Sequence, residues 1–333
     1  MHTLRKYSMI LMTILLVAVL AACGQAQTGS QSESGNASTA TDNNNEAATS
    51  TEAQATIKYK AANGEVDVPS HPKRIVVLAD SYYGYFVALG LKPIATVDHV
   101  FTSSMLKGTT DGVTNLGATP KVEEVLALNP DLIVVWDGDA NLANYEKVAP
   151  TVAIKYGQYT YKQQLQEFGK MTGTEDKAKE LAAAWESKIN EAKPKVQAAV
   201  GDKTVSIIQP YAKGVYVMGD RYGRGGEIIY QELGLKGTPM TEQKAIQSGP
   251  GYVDISLENV PDFAGDYIFT SPWGGDGDTT GLALYNSSLW KNLPAVKAGH
   301  VFTIDPIAYY FNDPISMDAQ LAFIVKSLTG TAS

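Results

Sequence analysis

The chain has 333 residues, 44% of them hydrophobic and 19% charged, which is enough for about two domains with separate cores. Its 35 acidic residues outnumber 27 basic ones, and the net charge of −8 argues against nucleic-acid binding. A single cysteine excludes a disulfide framework or a cysteine-rich zinc site, and four histidines argue against a histidine metal cluster. The 18 tyrosines hint at a binding cleft, although ordinary packing accounts for the same number.

The first 22 residues have the pattern of a bacterial lipoprotein signal peptide. Arg5 and Lys6 precede an apolar run from Met9 to Leu20, which is shorter than the ~20 residues of a stable membrane span. Small residues then lead directly to Cys23, as in the bacterial lipobox, where this thiol is acylated and becomes the first residue of the mature protein. We therefore predict removal of residues 1–22 and lipidation of Cys23, which anchors the protein without spanning the membrane.

Residues 23–56 are rich in Ser, Thr, Asn, Gln, Gly and Ala and contain almost no large apolar side chain. Such a segment buries too little surface to order itself, so it is predicted to be a disordered tether. The predicted location is the outer face of the cytoplasmic membrane, and the absence of an outer-membrane cue favours a Gram-positive cell.

The next part of the chain, predicted as an N-terminal lobe over residues 57–173, alternates short β-branched runs with helical segments. This alternation indicates a parallel α/β sheet. The predicted strands are 74–78, 94–97, 132–136 and 152–156, and the predicted helices are 83–91, 122–128 and 141–148.

Residues 174–200 predict one long helix. Thr174 is a suitable N-cap, Glu175 and Asp176 complement the helix dipole, and strong helix formers dominate the rest. The helix would be about 40 Å long, with a kink at Pro194. A strut between two lobes is the favoured interpretation, and a surface helix within one domain is the alternative.

The remainder, residues 201–333, repeats the strand–helix alternation and is predicted to be a C-terminal lobe. A faint internal repeat links the halves, because Glu123 and Glu258 each precede a Pro-Asp pair and a strand. The predicted strands are 205–209, 215–218, 267–270 and 301–304, and the predicted helices are 227–235, 289–296 and 317–328.

Enzyme motifs are weak or incomplete. The glycine-rich stretch 219–226 follows a strand, but it lacks the third glycine of a dinucleotide fingerprint and the Gly-Lys-Ser/Thr of a P-loop. Ser104 and Lys107 match the Ser-x-x-Lys element of penicillin-recognising enzymes, yet no Lys-Thr-Gly follows. A lipid-anchored serine enzyme therefore stays a remote alternative.

Several segments together resemble the substrate-binding lipoproteins of siderophore ABC importers, and more narrowly the ferric-hydroxamate-binding branch of Gram-positive bacteria. The resemblance covers about residues 57–330. The segments that carry it are 71–78, 122–133, the long helix, 222–227, 293–302 and 309–314.

This resemblance implies two Rossmann-like lobes bridged by one long α-helix, with a ligand cleft between the lobes. It implies a receptor and not an enzyme, without a cofactor or metal ligands, because the iron(III) arrives inside its siderophore. Tyr222 stands where the family usually has tryptophan. The predicted ligand-binding residues are Arg224, Tyr222, Tyr216, Tyr309, Tyr310, Tyr82, Tyr83, Trp136, Tyr159, Arg221 and Trp273.

The resemblance also implies partners: an ABC permease dimer with a cytoplasmic ATPase, onto which Glu123 and Glu258 would dock. The same fold binding a catecholate siderophore, haem or a corrinoid is the main alternative. The catecholate is disfavoured because tris-catecholate complexes are strongly anionic, while the mature chain has a net charge of −10 and few bases near the predicted cleft.

Overall fold

The computed structural model describes residues 55–247, 249–273, 279 and 281–330. The predicted signal peptide, the lipidation site Cys23 and almost all of the predicted tether lie outside these residues. Among the described residues, no helix has both the length and the apolar character that a membrane span requires.

A two-stranded hairpin, which the sequence analysis did not predict, opens the described chain. Its antiparallel strands are β1 (Thr56–Ala61) and β2 (Gly64–Pro69). The turn places Gly64 at a φ of +115°, which glycine adopts without strain. Beside it, the Asn63 side chain donates to the backbone oxygen of Thr151 at 2.9 Å and accepts from the backbone nitrogen of Ala153 at 3.0 Å. The hairpin is thereby fixed to the first lobe.

The first lobe is built on a sheet of five parallel strands in the spatial order β5-β4-β3-β6-β7. Its central strands are apolar throughout, as expected when helices cover both faces. The strands are β3 (Ile75–Val77), β4 (Ala95–Thr96), β5 (Thr114–Asn115), β6 (Leu132–Trp136) and β7 (Thr151–Ile154).

The second lobe has a mixed sheet in the order β10-β9-β8-β11-β12, so the expectation of a second parallel sheet was wrong. A two-residue turn at Ala212 and Lys213 forces β8 and β9 to pair antiparallel, and β10, which was not predicted, extends this antiparallel edge. The strands are β8 (Val205–Tyr211), β9 (Gly214–Met218), β10 (Tyr252–Ile255), β11 (Tyr267–Thr270) and β12 (Val301–Thr303).

Helices and helical turns connect these strands. Two single turns, Glu227–Glu232 and Glu242–Ile246, are π-helical, and Asp80–Tyr82, Ser104–Leu106, Leu257–Asn259 and Ala308–Tyr310 are 3₁₀ turns. The α-helices are α1 (Tyr83–Ala88), α2 (Asp98–Thr102), α3 (Val122–Ala127), α4 (Leu142–Tyr145), α5 (Tyr161–Thr172), α6 (Glu175–Val200), α7 (Pro239–Thr241), α8 (Val260–Phe263), α9 (Leu282–Asn286), α10 (Ser288–Lys291), α11 (Pro294–Ala298) and α12 (Pro314–Thr329).

The long helix α6 joins the two lobes, and the predicted α/β fold class with its bridging helix is confirmed. Its 26 residues include Pro194 without interrupting the helix. Thr174 occupies the N-cap position, but its hydroxyl pairs with that of Thr172 at 2.8 Å and does not cap the helix, contrary to expectation. Trp185 and Ile189 are buried on the helix and belong to the main core.

One continuous apolar core extends through both lobes and includes residues of α6 and α12. At the junction, the Tyr85 hydroxyl of α1 donates to the backbone oxygen of Asn312 at 3.0 Å. Gly84 is required beside it, because a Cβ there would lie 2.2 Å from the Asp313 carboxylate. The lobes are therefore packed together by interior contacts as well as by the linking helix.

The internal repeat has a structural counterpart, although its register differs from the predicted one. Asp131 precedes β6 and accepts from the backbone nitrogen of Arg74 at 2.8 Å, just before β3. The matching residue is Asp266, not Asp262: it precedes β11 and accepts from the backbone nitrogen of Thr204 at 2.8 Å, just before β8. Glu123 and Glu258 each stand eight residues before their aspartate, so they occupy equivalent places in the two lobes.

Candidate ligand-binding site

A cavity of about 360 Å³ lies between the lobes, and we call it the aromatic cavity. The first lobe contributes the last residue of β6 and a residue just after β7, and the second lobe contributes the rest. A volume of this size is within the usual range of small-molecule sites. The lining residues are Trp136, Tyr156, Tyr216, Met218, Tyr222, Arg224, Tyr252, Trp273 and Tyr310.

Arg224 is the one charged side chain among the described residues that line this cavity, and it is only 5% exposed. Its guanidinium lies 5.2 Å from the ring centres of both Trp273 and Tyr310. Nε donates to Gln209 Oε1 at 3.1 Å, and no described residue accepts from the two Nη groups. Burial lowers the pKa of Arg224, yet an arginine remains charged in proteins. The Nη groups are thus available to a ligand.

An unusual backbone turn orients this arginine. Tyr222, Gly223, Arg224 and Gly225 all have left-handed φ values, +67°, +72°, +61° and +85°. Each non-glycine residue in this region costs about 1–2 kcal/mol, so the turn needs external support. The backbone nitrogen of Arg224 donates to Tyr309 O at 2.6 Å, and that of Gly223 donates to Glu227 Oε1 at 3.1 Å.

The glycines of this stretch are therefore explained by backbone geometry and not by nucleotide binding. A Cβ on Gly223 would lie 2.9 Å from the backbone oxygens of Tyr309 and Tyr310, and one on Gly226 would lie 2.0 Å from that of Gly219. Only residues without a side chain fit these positions.

The walls of the cavity are a chain of ring contacts. Tyr216 packs against Tyr252 and Trp273, with centroid separations of 5.7 and 5.2 Å, and Tyr252 lies 5.5 Å from Tyr222. Tyr222 stacks on Tyr156 of the first lobe at 5.0 Å. The arrangement suits a bulky ligand with an apolar periphery and a few anionic or partly anionic oxygens.

The structure brings six of the predicted ligand-binding residues to this cavity. Tyr309 does not line it: its ring is buried and its backbone oxygen supports Arg224. The six residues are Arg224, Tyr222, Tyr216, Tyr310, Trp136 and Trp273.

Four other predicted residues lie elsewhere. Tyr83 is fully buried and its hydroxyl donates to Thr109 O at 2.7 Å, because α1 turns it into the core. Tyr82 packs behind Trp136, with ring centres 4.7 Å apart. Tyr159 and Arg221 line a neighbouring, more polar cavity, which Tyr82 also borders.

Sequence reasoning missed Met218, Tyr252 and the supporting Gln209, and from the tyrosine-rich run 156–161 it selected Tyr159 and not Tyr156. Tyr156 is the last residue of the predicted strand 152–156, and its position at the carboxyl end of that strand was the available signal. Tyr252 lies on β10, which was not predicted, and antiparallel pairing places it opposite Met218.

The remote enzyme alternative lacks its geometry. The Ser104 hydroxyl donates to Asp305 Oδ2 at 2.8 Å, and Lys107 lies beyond the short turn that contains Ser104. Among the described residues, no group of three or more His, Cys, Asp or Glu side chains is arranged to hold a metal ion.

The fold and the cleft between its lobes define a substrate-binding protein, and the chain belongs to the periplasmic binding protein family, whose model matches residues 75–308. The chain is 50% identical over 329 residues to the iron(3+)-hydroxamate-binding protein FhuD of Bacillus subtilis (strain 168), covering 98% of this chain and 99% of that protein. Members of this family are binding components of transporters, and not enzymes.

Solved structures agree with this assignment. A FhuD fold-family protein of Bacillus subtilis, the periplasmic binding protein component of a Fep/Fec-like ferrichrome ABC transporter, matches with a TM-score of 0.77 and 53% identity, covering 82% of this chain and 100% of that one. FhuD2 of Staphylococcus aureus with bound ferrioxamine B matches with a TM-score of 0.72 and 36% identity, covering 79% and 100%.

Proposed function

We propose that this protein is an extracytoplasmic receptor that binds an iron(III)–hydroxamate siderophore and delivers it to an ABC importer. The observation that carries the proposal is the aromatic cavity, which rings from both lobes line and in which buried Arg224 lies against Trp273 and Tyr310. The relatives named for iron(3+)-hydroxamate and for ferrioxamine B support the same ligand class.

The chemistry of the cavity fits this ligand class. A ferric tris-hydroxamate is neutral at its metal centre, and its oxygens carry partial negative charge that a forked guanidinium can reach with two Nη groups. Its organic periphery suits the faces of Tyr216, Tyr252 and Trp273. A tris-catecholate complex carries about three negative charges and would leave most of them unmatched here, since Arg224 is the one charged side chain among the described residues that line the cavity.

We further propose that the partner is a permease dimer with a cytoplasmic ATPase, and that Glu123 and Glu258 dock onto it. Both side chains are exposed, each in the first turn of its helical segment. Glu123 and Glu258 lie at the same spacing before Asp131 and Asp266, so the two lobes carry acidic side chains at equivalent positions. Lys121 pairs with Glu124 and leaves Glu123 for a partner. Ion pairs of this kind fix orientation more than they add affinity.

The remaining parts of the proposal concern the chain organisation. Residues 1–22 are a signal peptide, Cys23 carries the lipid, residues 23–56 form the tether, and lobes at 57–173 and 201–333 flank the linking helix 174–200. Labelling with a radioactive fatty acid, compared between the full chain and Cys23→Ala, tests the anchor. Equal labelling of both would exclude it.

Tryptophan-fluorescence titration tests the ligand class, because Trp136 and Trp273 line the cavity while Trp185 and Trp290 are buried elsewhere. The ligands are ferrioxamine B, ferrichrome, a ferric catecholate and haem. Tight quenching by one or both hydroxamates is expected, and Trp273→Phe should reduce its amplitude. A response to the catecholate or haem alone would overturn the proposal in favour of that ligand.

A further inference from the structure

A second cavity, which we call the polar cavity, lies beside the aromatic cavity and has a volume of about 350 Å³. Tyr156 and Tyr222 border both cavities, so their stacked rings are a shared wall. The other lining groups are polar side chains from both lobes, among them Gln164, Asp220, Glu227 and Asn312.

This cavity concentrates buried polar atoms that lack hydrogen-bond partners. Nine such side-chain atoms occur among the described residues, and four line the polar cavity: Gln164 Nε2, Asp220 Oδ1, Glu227 Oε2 and Asn312 Oδ1. Gln164 itself is only 3% exposed. Buried polar groups are normally satisfied, so such a concentration marks a place for a polar guest.

The unsatisfied atoms favour a guest that donates hydrogen bonds. Either amide end of Gln164 or Asn312 can face the cavity, but the carboxylates of Asp220 and Glu227 only accept when ionised. A guest with several N–H groups would satisfy them together.

The charges point to a guest with one positive charge. Among the residues that the structure describes, the charged side chains lining the polar cavity are those of Asp220, Arg221 and Glu227, with a net charge of −1. Arg221 Nε lies 3.3 Å from Asp220 Oδ1 and offsets that carboxylate. Glu227 accepts from Gly223 through Oε1, while its Oε2 is buried and unmatched.

We propose that the polar cavity binds the terminal primary ammonium group of a linear hydroxamate siderophore whose iron centre occupies the aromatic cavity. The proposal rests on the proposed function and narrows the ligand to a cationic, linear hydroxamate. The ammonium donates to Glu227 Oε2 and to the neighbouring acceptors, and its alkyl chain passes along the shared rings of Tyr156 and Tyr222. Cyclic hydroxamates without an amine leave the polar cavity to water.

The test compares ferrioxamine B, which has a free terminal amine, with its N-acetylated derivative, which keeps the iron centre and lacks the charge. Wild-type protein should bind the free amine about tenfold more tightly, as expected for a charge-assisted contact. Glu227→Gln should abolish this preference, because glutamine keeps an oxygen that can accept from Gly223 but removes the negative charge that the ammonium pairs with. Glu232→Gln, on the same helical turn but outside the cavity, is the matched control and should keep the preference.

Equal affinity of the wild type for the two complexes would overturn the inference. A preference that survives Glu227→Gln would overturn it as well. Both results leave the proposed function standing, since the acetylated complex and ferrichrome still bind. Loss of all hydroxamate binding in the wild type would instead overturn the proposed function, and this inference with it.

Discussion

The two lobes contribute to the aromatic cavity in different ways. From the first lobe come Trp136 and Tyr156, both at the carboxyl ends of parallel strands. The second lobe contributes the charged group and most of the rings, and two of these rings lie on the antiparallel strands β9 and β10.

Sheet direction explains the difference. In a parallel sheet covered by helices, side chains reach a ligand only from the carboxyl ends of the strands. An antiparallel edge can leave one face uncovered, so residues along the strands can line a cleft. Tyr216 and Met218 of β9 and Tyr252 of β10 line the cavity in this manner. We therefore expect the second lobe to recognise the ligand and the first lobe to close the cavity.

Among the substitutions that test this difference between the lobes, Arg224→Gln should have the largest effect on hydroxamate affinity. Glutamine removes the charge and both Nη groups, so hydroxamate affinity should fall about tenfold or more, because charge-assisted hydrogen bonds contribute ~1.5–3 kcal/mol. Arg221→Gln is the matched control, and ferrichrome is the suitable ligand because it has no amine for the polar cavity. Unchanged affinity of Arg224→Gln in titration calorimetry would remove this residue from recognition.

Glu227→Gln should have a smaller effect, and it should be seen in the free energy of unfolding of the ligand-free protein. Burial raises the pKa of Glu227 to about 6, from an ordinary 4.5. The folded state thus favours the neutral acid; this stabilisation is complete below pH ~4.5 and is lost as the pH rises through about 6. The glutamine variant should be more stable than wild type by about 1–2 kcal/mol at pH 7.5 and equally stable at pH 4.5.

Urea unfolding at the two pH values measures this difference directly. An advantage that is equal at both pH values would show that ionisation of Glu227 is not its source.

Replacing one aromatic ring in each lobe should change hydroxamate affinity by a smaller factor than Arg224→Gln does. Tyr252→Leu should weaken hydroxamate binding about fivefold, because it removes support from Tyr216 and Tyr222 together. Tyr156→Leu should weaken hydroxamate binding about twofold to threefold, since the second-lobe ring that Tyr156 stacks on is that of Tyr222. A larger loss for Tyr156→Leu would reverse the assigned roles of the lobes.

The double substitution Glu123→Ala and Glu258→Ala is expected to leave ligand binding unchanged. Both residues are exposed away from the cavity, so ligand affinity should be unchanged while siderophore uptake by cells falls severalfold. The control pair is Glu124→Ala with Asp262→Ala, neighbouring acids that should preserve uptake. Normal uptake by the Glu123 and Glu258 double variant would exclude docking through these residues.

The sequence predicted the fold class because alternating strands and helices, and the Ala-, Lys- and Glu-rich segment of α6, are strong local signals. It did not predict β10 or the antiparallel pairing of β8 and β9, because periodicity does not specify which neighbours pair or in which direction. Tyr309 and Tyr310 show the same limit within a site. Adjacent in sequence, they take opposite roles because a 3₁₀ turn buries one and presents the other to the cavity.

The shared interior at Gly84, Tyr85 and Asp313 has a consequence for how cargo enters and leaves. Packed interiors resist gradual deformation, so we expect the two lobes to change their relative position little when a ligand binds. Passage across the rim then depends on side chains such as Trp273 and Tyr222, which are 49% and 38% exposed. Exposed side chains change rotamer within nanoseconds, so we expect contacts at the cavity wall, and not a slow reopening of domains, to set the residence time of the ligand.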